Sequence, residues 1–351
     1  MKTINYTNEK DYGLSVAVWL ADSEYDHSPV EGPYVSVTGL LKPIRMIILD
    51  QRLKVLNETS DTSEVMDLDR FIPSRLGTAI HDSIEHSWTR LDEDGKPAYR
   101  KALRRLGYPE DVILAIHVNP NDEELKTNPD IIPVYLEQRS FKVINGYTVG
   151  GKFDFIGNGV SEDFLSMGSW GFIKDDKDSD FIKQLSMYHW LNPDKITEDW
   201  AKIQKIITDW NKLEALKGAG KGYPENRIVE KILDLMTVEE TEAWVTDKID
   251  EIKSYEGTDE QDLPVCTQKE LWQDDPVFKY YGRTKKGTIS MKATKSFDDS
   301  ASAYAHKTKE GDGEVKAIYP KAKRCGYCAA FTADICTQGR ELMAAGLLQL
   351  P

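Results

Sequence analysis

Apolar and polar residues alternate in two neighbouring stretches near the middle of the chain. The stretches cover residues 147–156 and 160–166, and the sequence Gly-Asn-Gly at residues 157–159 separates them. Alternation with a period of two predicts β-strands, and a short turn that contains Asn-Gly predicts an antiparallel hairpin. We therefore predict a β-hairpin at the centre of the fold.

The side chains of this hairpin fall on defined faces, because successive residues of a strand point to opposite sides. Lys152 and Asp154 share one face of the first strand. On the second strand, Asp163 and Leu165 share a face and Phe164 points away. Two carboxylates on one face supply oxygen ligands and negative charge, so the hairpin predicts a site for a hard cation such as magnesium.

Two predicted helices present polar side chains one turn apart. The helix over residues 74–88 carries His81 and Glu85 on one side. A helix after the hairpin carries Gln184 and Tyr188 in the same relation. A helical histidine is more often structural than a ligand, and such polar pairs usually form a solvated face. Taken alone, these pairs do not identify a site.

Two further elements are predicted before the hairpin. Apolar periodicity over residues 35–56 indicates a helix, and Pro43 fits its first turn. A strand over residues 134–141 carries Glu137, which is either part of a surface ion pair or an additional acidic site residue. The pattern alone leaves both alternatives for Glu137 open.

The charge of the chain is unevenly distributed. The 351 residues are 40% hydrophobic and carry a net charge of −14, which argues against a nucleic-acid binder because phosphate contacts need cations. Residues 283–324, however, contain eleven Lys or Arg and five Asp or Glu, so this segment is compatible with DNA binding at one face. No stretch is apolar enough to span a membrane or to act as a signal peptide. We therefore expect a cytoplasmic location and no membrane partner.

All four cysteines lie in the last quarter of the chain. Cys266 stands alone, and Cys325, Cys328 and Cys336 follow with a C-x2-C-x7-C spacing. Four cysteines in a long chain without a secretion signal do not indicate a disulfide framework. Because Cys-x2-Cys lets two thiolates bind one centre, the group predicts either zinc or a four-iron four-sulfur cluster.

The polar positions together resemble a known family. The series Gly77-x3-His81-x3-Glu85, Asp154, Asp163-x-Leu165 and Gln184-x3-Tyr188 resembles the RecB-like branch of the PD-(D/E)XK nuclease superfamily, and especially its phage-encoded exonucleases. The resemblance covers most of residues 36–340. It implies an α/β fold with a restriction-endonuclease-like mixed sheet flanked by helices. It also implies a metal-dependent exonuclease that hydrolyses the ends of linear DNA in replication, recombination or host-DNA turnover.

The resemblance implies roles for individual residues. It makes Gln184 and Tyr188 DNA-positioning residues, and it makes Glu137 a secondary catalytic candidate; Lys152 is a catalytic candidate because of its place on the Asp154 face. A recombination or single-strand-binding protein is a further partner that it suggests. The implied ligands of Mg²⁺ or Mn²⁺ are His81, Asp154, Asp163 and the backbone carbonyl of Phe164.

The resemblance also selects between the two options for the cysteines. Several RecB-like nucleases have one distant cysteine and a later group of three, and these bind an iron–sulfur cluster. We therefore favour a 4Fe-4S cluster in this chain, with Zn²⁺ as the alternative. Basic residues beside the group are candidates for contacting DNA phosphates, namely Lys321, Lys323 and Arg324.

One departure from the family concerns catalysis. The family has a lysine where this chain has Leu165, and leucine can neither orient a water molecule nor neutralise developing charge. In the first alternative the chain is inactivated at this position, and in the second another lysine, Lys152 or Lys183, takes over the role. In the third alternative the chain is a catalytically silent module that binds DNA or a protein.

Four regions are expected along the chain. They are an N-terminal helical region at residues 1–75, a nuclease core at residues 76–215, a helical insertion at residues 216–262, and a basic module with the cysteines at residues 263–351.

Overall fold

The computed structural model describes residues 4–22, 31–59, 64–174, 178–218, 222–284 and 286–350, and it shows a mixed α/β protein. These residues pack as two units. The first unit joins residues 1–41 with residues 61–250, and the second joins residues 42–60 with residues 251–351. The division into four regions stays a prediction.

The strands of the described residues form four sheets. In chain order they are β1 (Ile4–Thr7), β2 (Tyr34–Ser36), β3 (Glu64–Asp67), β4 (Ile116–Val118), β5 (Ile132–Leu136), β6 (Arg139–Ile144), β7 (Tyr147–Lys152), β8 (Phe155–Gly157), β9 (Val160–Met167), β10 (Trp200–Ile207), β11 (Ile228–Asp234), β12 (Val277–Tyr281), β13 (Lys295–Phe297) and β14 (Glu314–Ile318).

The described helices flank these sheets. In chain order they are α1 (Leu14–Ala21), α2 (Val37–Leu40), α3 (Ile44–Thr59), α4 (Ile72–Thr89), α5 (Tyr99–Arg105), α6 (Glu110–Ala115), α7 (Asp122–Thr127), α8 (Ser169–Ile173), α9 (Asp178–Leu191), α10 (Lys212–Gly218), α11 (Val238–Tyr255), α12 (Ser300–Glu310), α13 (Ala329–Thr332) and α14 (Thr337–Ala344). Of the helices that the structure describes, none has the length and apolar character needed to cross a membrane.

The largest sheet of the first unit is mixed and has the strand order β11-β10-β9-β8-β5-β4. Strand β9 pairs with β10 in parallel and with β8 antiparallel, so it lies inside the sheet. A smaller sheet has the order β2-β7-β6, and β1 and β3 form a parallel pair. The expectation of an α/β fold with a mixed sheet is confirmed at this coarse level.

The predicted hairpin is formed by β8 and β9. Gly157 pairs with Val160, so the turn consists of Asn158 and Gly159. Their φ angles are 49° and 85°, and two left-handed residues in succession make the hairpin turn that Asn-Gly favours. The sequence therefore located the turn correctly.

The first strand of the hairpin is much shorter than predicted. The alternating stretch over residues 147–156 is divided between two sheets, because β7 ends at Lys152 and β8 begins at Phe155. The buried Phe153 and the residue after it, Asp154, occupy the crossing point. Lys152 and Asp154 therefore do not share the face of one strand, because β7 ends between them. The alternation of apolar and polar residues continues across the change of sheet, so it did not reveal this break.

The predicted strand over residues 134–141 is divided in the same way. Strand β5 ends at Leu136 and β6 begins at Arg139. Between them, Glu137 has a left-handed φ of 51°, and its N–H donates to the Asp154 carbonyl at 3.1 Å. The two crossing points are thus hydrogen-bonded to each other, which brings Glu137 and Asp154 together.

The predicted helix over residues 35–56 is likewise two helices. Ser36 caps α2 by accepting a hydrogen bond from the Gly39 N–H at 2.9 Å. Pro43 lies immediately before α3, and its carbonyl accepts from the Ile47 N–H at 3.0 Å. Proline has no N–H to donate to the preceding helix, so α2 ends before Pro43 and α3 begins after it.

An aromatic cluster packs α4 against the large sheet of the first unit. The Trp88 ring of α4 lies 5.3 Å from both Tyr99 and Phe155, measured between ring centroids. Phe164 of β9 packs against the same cluster. Burial of these rings fixes α4 over β9, with its polar side chains beside the strand.

The second unit contains its own antiparallel sheet, with the order β13-β12-β14, and α12 packs against it. Asp299 caps α12 by accepting from the Ser302 N–H at 2.8 Å, and Gly311 ends the helix with a left-handed φ of 79°. A separate small core of this unit contains Leu271, Ala322, Cys325 and Leu348.

Candidate metal centre

His81 joins helix α4 to strand β9. Its Nε2 donates to the Phe164 carbonyl at 2.8 Å, and its Nδ1 lies 3.3 Å from Asp154 Oδ2. The hydrogen bond to Asp154 raises the pKa of His81 to about 9. In the absence of a metal, both ring nitrogens therefore carry protons and hold the ring in place.

Asp154 stands between the two sheets that contain β7 and β8, and it faces the histidine. Its Oδ2 accepts from the Phe164 N–H at 3.1 Å in addition to facing His81, and only 13% of its side chain is exposed. Because Asp154 stands at the crossing between β7 and β8, its backbone is free of ladder pairing with β9. The side chain can thus turn towards the carbonyl that His81 contacts.

Asp163 is the second carboxylate of the centre and belongs to β9. Burial, followed by the nearby charge of Asp154, raises the pKa of Asp163 to about 8. Gln184 of α9 donates to Asp163 Oδ1 through its Nε2 at 3.4 Å. A carboxyl group with so high a pKa is held in surroundings that favour either a proton or a cation.

Glu137 forms the edge of the centre. Burial raises the pKa of Glu137, although the Lys152 ammonium group at 2.5 Å acts in the opposite direction. The charge of Glu85 on α4 adds a smaller upward contribution to the same pKa. Glu85 is therefore an electrostatic neighbour of Glu137.

These residues fit a divalent metal ion. His81, Glu137 and Asp154 each offer a ligand atom, and the three atoms lie within 4.8 Å of one another. Carboxylate and carbonyl oxygens with one imidazole suit magnesium or manganese.

Tyr188 lies next to the carboxylates. It is only 6% exposed, and burial raises the pKa of its hydroxyl well above the ordinary value. The ring fits there because residue 151 is glycine: a Cβ atom on Gly151 would lie 2.9 Å from Tyr188 and 2.7 Å from Val37. Contact of Gln184 and Tyr188 with DNA stays a prediction, but Tyr188 has little surface for it.

Leu165 lies directly opposite a lysine that the sequence analysis did not single out. Leu165 of β9 and Lys205 of β10 are partners in the parallel ladder, so their side chains leave the sheet on the same face. Lys205 is 4% exposed, and its Nζ lies 5.7 Å and 5.8 Å from the ring centroids of Phe172 and Phe181. The sequence did contain a signal for Lys205: residues 200–207 alternate as a strand, and Lys205 occupies one of the positions that this alternation predicts to be buried.

The two lysines proposed from the sequence are placed differently. Lys152 contacts Glu137 and therefore lies at the edge of the centre. The Nζ of Lys183 lies 5.2 Å from the centroid of the Trp244 ring on α11. The geometry thus favours Lys152 over Lys183 as a cation that serves the centre.

The four cysteines line one cavity of the second unit, and all of them are free thiols. Gln338 of α14 brings the distant Cys266 to the others, since its side chain donates to and accepts from the Cys266 backbone at 2.8 Å. Burial is the main cause that raises the pKa of Cys266 to about 12 and the pKa of Cys325 to about 11. These thiols are therefore neutral until a metal displaces their protons.

A buried arginine faces the same cavity. Arg45 of α3 is 3% exposed, lines the cavity together with the cysteines, and is ion-paired with Glu260. Its Nε is buried, and among the described residues no group accepts a hydrogen bond from it. Four cysteine thiolates that bind a metal form a negatively charged group. The positive charge of Arg45 and its free Nε–H donor fit such a group.

The basic residues beside the cysteines are unequally exposed. Lys321 is exposed, whereas Lys323 and Arg324 are partly buried. Lys323 pairs with Asp274 at 2.7 Å, and the guanidinium of Arg324 lies 5.1 Å from the centroid of the Trp272 ring. Their contact with DNA phosphates stays a prediction.

Comparisons with known proteins find only distant structural likeness. No family model and no curated protein matches the sequence. A solved structure described as SSO0001 is 15% identical with a TM-score of 0.34, and the match covers 67% of this chain and 82% of that one. A phage-related exonuclease from Haemophilus somnus 129PT is 13% identical with a TM-score of 0.23, and the match covers 48% of this chain and 92% of that one. Both TM-scores are too low to carry an argument about this chain.

Proposed function

We propose that the chain is a metal-dependent deoxyribonuclease that digests linear DNA from its ends. The main support is that His81, Glu137 and Asp154 bring ligand atoms within 4.8 Å of one another, that His81 also contacts the Phe164 carbonyl, and that Asp163 is an electrostatic neighbour of Asp154 and His81. The same residues, in the same order along the chain, carry the resemblance to RecB-like nucleases. An internal strand β9 in a mixed sheet is compatible with the restriction-endonuclease-like core of that family.

The proposed metal is Mg²⁺ or Mn²⁺. When bound, such an ion polarises the phosphate and lowers the pKa of a water molecule, which supplies the nucleophile for hydrolysis. His81, Asp154, Asp163 and the Phe164 carbonyl would hold it. Gln184 orients Asp163 through the 3.4 Å hydrogen bond, and Phe164 N–H fixes Asp154 through the 3.1 Å hydrogen bond.

The cation that the family places at position 165 is proposed to come from Lys152. Its ammonium group contacts Glu137, which shares the metal group with His81 and Asp154. A cation there can neutralise charge that develops on the phosphate. Lys205 is the rival, because it is the ladder partner of Leu165.

The test is digestion of end-labelled linear DNA with Mg²⁺ or Mn²⁺, with a closed circle of the same sequence as the second substrate. We expect the linear DNA to be degraded and the circle to survive. Asp163→Asn should reduce the rate by about 10³-fold or more, because a charged ligand is lost. Glu162→Gln, at the neighbouring position of β9, is the matched control and should retain activity.

A second function has one observation in its favour. Leu165 stands at the position where the family has its catalytic lysine. In this second function the chain is a catalytically silent module that binds DNA or a recombination or single-strand-binding protein. Salt-dependent DNA binding without cleavage by the wild-type chain would favour this alternative. Cleavage that appears only in Leu165→Lys would show an intact metal centre that is silenced at one position.

We further propose that the four cysteines bind a 4Fe-4S cluster, with Zn²⁺ as the alternative. Support comes from the single cavity that Cys266, Cys325, Cys328 and Cys336 line and from the unused Arg45 donor. The role would be structural, since the site joins residues far apart in sequence. Metal analysis of chain purified without oxygen distinguishes about four iron atoms per chain from one zinc ion.

A further inference from the structure

A second cavity of the unit formed by residues 42–60 and 251–351 has a different character from the cysteine cavity. It is open to solvent and has a volume of about 480 Å³. Its lining residues are distinct from those around the cysteines, namely Trp272, Lys323, Tyr327, Gln349 and Leu350. Two aromatic rings, one aliphatic side chain, one amide and one ammonium group thus surround a space that the proposed chemistry leaves unassigned.

Trp272 is held in a backbone conformation that normally selects glycine. A single helical turn ends at this residue: its N–H donates to the Lys269 carbonyl, and the Gln273 N–H donates to the Gln268 carbonyl, each at 3.1 Å. This pair of bonds defines the helix ending in which the next-to-last residue is left-handed and usually glycine. Trp272 has a φ of 54°, which is unfavourable for a bulky side chain.

Strain of this kind is retained where a side chain is needed at that place. Trp272 is also only partly buried, because 42% of it is exposed. A residue that is both conformationally unfavourable and exposed is poorly explained by stability.

The two rings form one aromatic wall. The centroids of Trp272 and Tyr327 lie 6.1 Å apart with an angle of 50° between the planes, and Tyr327 is 68% exposed. The guanidinium of Arg324 lies 5.1 Å from the Trp272 centroid and so supports the indole. Backbone N–H groups of Lys323 and Arg324 both donate to the Leu271 carbonyl at 3.1 Å, which fixes the wall to the turn.

Positive charge accompanies the wall. Lys323 lines the cavity, and Lys321 and Arg324 are its neighbours in a segment with six more basic than acidic residues. Lys323 also pairs with Asp274 at 2.7 Å, and both side chains are more than a third exposed. Such exposed pairs are weak, so a phosphate can compete with Asp274 for the ammonium group.

We infer that this cavity binds a nucleotide of single-stranded DNA, with the base stacked on Trp272 or Tyr327 and a phosphate near Lys323. Aromatic faces next to cations are the combination that binds single strands without sequence preference. A duplex does not offer the face of a base, whereas a frayed or displaced strand does. The choice of DNA as the polymer rests on the proposed function.

The test measures binding of a fluorescent oligo-dT of roughly 12 nucleotides to the full chain, without added Mg²⁺ or Mn²⁺. Trp272→Gly and Tyr327→Ala should each weaken the Kd by about tenfold or more. Trp272→Gly suits the left-handed backbone, so its melting temperature should be close to that of the wild-type chain. Tyr304→Ala is the control, since Tyr304 is 54% exposed on α12 and lies outside the cavity lining.

A blunt duplex of the same length is the second probe. We expect weaker binding of the duplex and no effect of Trp272→Gly on it. Unchanged oligo-dT affinity in both Trp272→Gly and Tyr327→Ala would overturn the inference. So would equal weakening by Tyr304→Ala, because the effect would then not be specific to the cavity.

The outcome is separable from that of the nuclease proposal. If the wild-type chain binds oligo-dT through Trp272 but never cleaves DNA, the single-strand site stands and the nuclease proposal fails. If it cleaves DNA while both Trp272→Gly and Tyr327→Ala bind oligo-dT normally, the site fails and the nuclease proposal stands. Absence of both binding and cleavage would reject both.

Discussion

The acidic centre and the cysteine cavity both gather candidate metal ligands from distant parts of the sequence, but they hold them differently. In the acidic centre the groups satisfy one another: His81 donates to the Phe164 carbonyl and faces Asp154, while Gln184 donates to Asp163. In the cysteine cavity burial raises the pKa of Cys266 and Cys325, so these two thiols are neutral, and the buried Nε of Arg45 has no acceptor among the described residues.

The difference suggests two kinds of metal use. In the acidic centre the candidate ligands already lie together, so a hard ion needs the loss of protons from His81 and Asp163 but little movement of side chains. Thiols with a raised pKa must lose protons to bind, and the thiolates then bind a soft metal strongly. We therefore expect an exchangeable ion in the first place and a permanently bound group in the second.

The largest expected effect is on the cysteine cavity. Cys325→Ser should remove the bound metal and destabilise residues 251–351, because structural metal sites contribute about 10 kcal/mol or more to folding. Metal analysis and limited proteolysis measure the two consequences. Asp154→Asn should leave both unchanged. If Cys325→Ser keeps its metal content and its protease resistance, the proposed contrast between the sites is lost.

The next effect concerns the cation at the edge of the acidic centre. Lys152→Met should slow DNA cleavage by roughly 10²-fold, because a charge that stabilises the transition state is removed. The control is Lys142→Met on the neighbouring strand β6, whose lysine is equally exposed and pairs with Glu242. Full activity in Lys152→Met, together with loss in Lys205→Met, would assign the role to Lys205.

Glu137→Gln tests the outermost member of the metal group. We expect about 10- to 100-fold weaker Mn²⁺ binding, measured by titration calorimetry, because one carboxylate charge is lost at the edge of the centre. Glu85→Gln is the matched control on α4 and should have a smaller effect. An equal effect of both substitutions would make Glu137 an electrostatic neighbour and not a ligand.

The smallest expected effect is a pH dependence of stability. The pKa of His81 is raised from 6.5 to about 9, so its stabilising contribution is complete below pH 6.5 and is lost as the pH rises through 9. Asp163 acts in the same direction, because its pKa is raised to about 8 and its stabilising contribution is therefore lost as the pH rises to 8. The metal-free chain should therefore lose stability between pH 6.5 and pH 9.

Addition of Mn²⁺ should reverse this trend, because the ion binds the deprotonated groups. The gain in melting temperature on adding Mn²⁺ should be larger at pH 8.5 than at pH 6.5. In Asp163→Asn the pH dependence of this gain should be reduced. A gain that is independent of pH in the wild-type chain would argue against His81 and Asp163 as ligands.

Local pattern was sufficient for part of this architecture. The turn at Asn158 and Gly159 followed from residue type, because both positions require left-handed backbone. The helix that carries His81 followed from its apolar period, and the structure extends it only slightly, to Ile72–Thr89. These features depend on residues within a few positions of one another.

The features that decide the site's chemistry depend on pairing between distant strands. Alternation continues across residues 152–155 although the chain changes sheets there, so the sequence could not show that Asp154 leaves the ladder. Glu137 reaches the centre because its backbone turns left-handed between two strands. The alignment of Leu165 with Lys205 is a register of the parallel ladder, which no local period contains.

The composition of the second unit has a consequence for biosynthesis. Residues 42–60 belong with residues 251–351, and Arg45 and Arg52 of α3 bond to Glu260 and Thr258 of the later segment. A ribosome adding 5–20 residues per second begins the later segment about 10–40 s after α3 and reaches Cys336 about 14–55 s after it. During this interval the apolar side of α3 lacks its final partners, and the cysteine cavity does not yet exist. The proposed metal group, held by all four cysteines, can therefore bind only after Cys336 has been made.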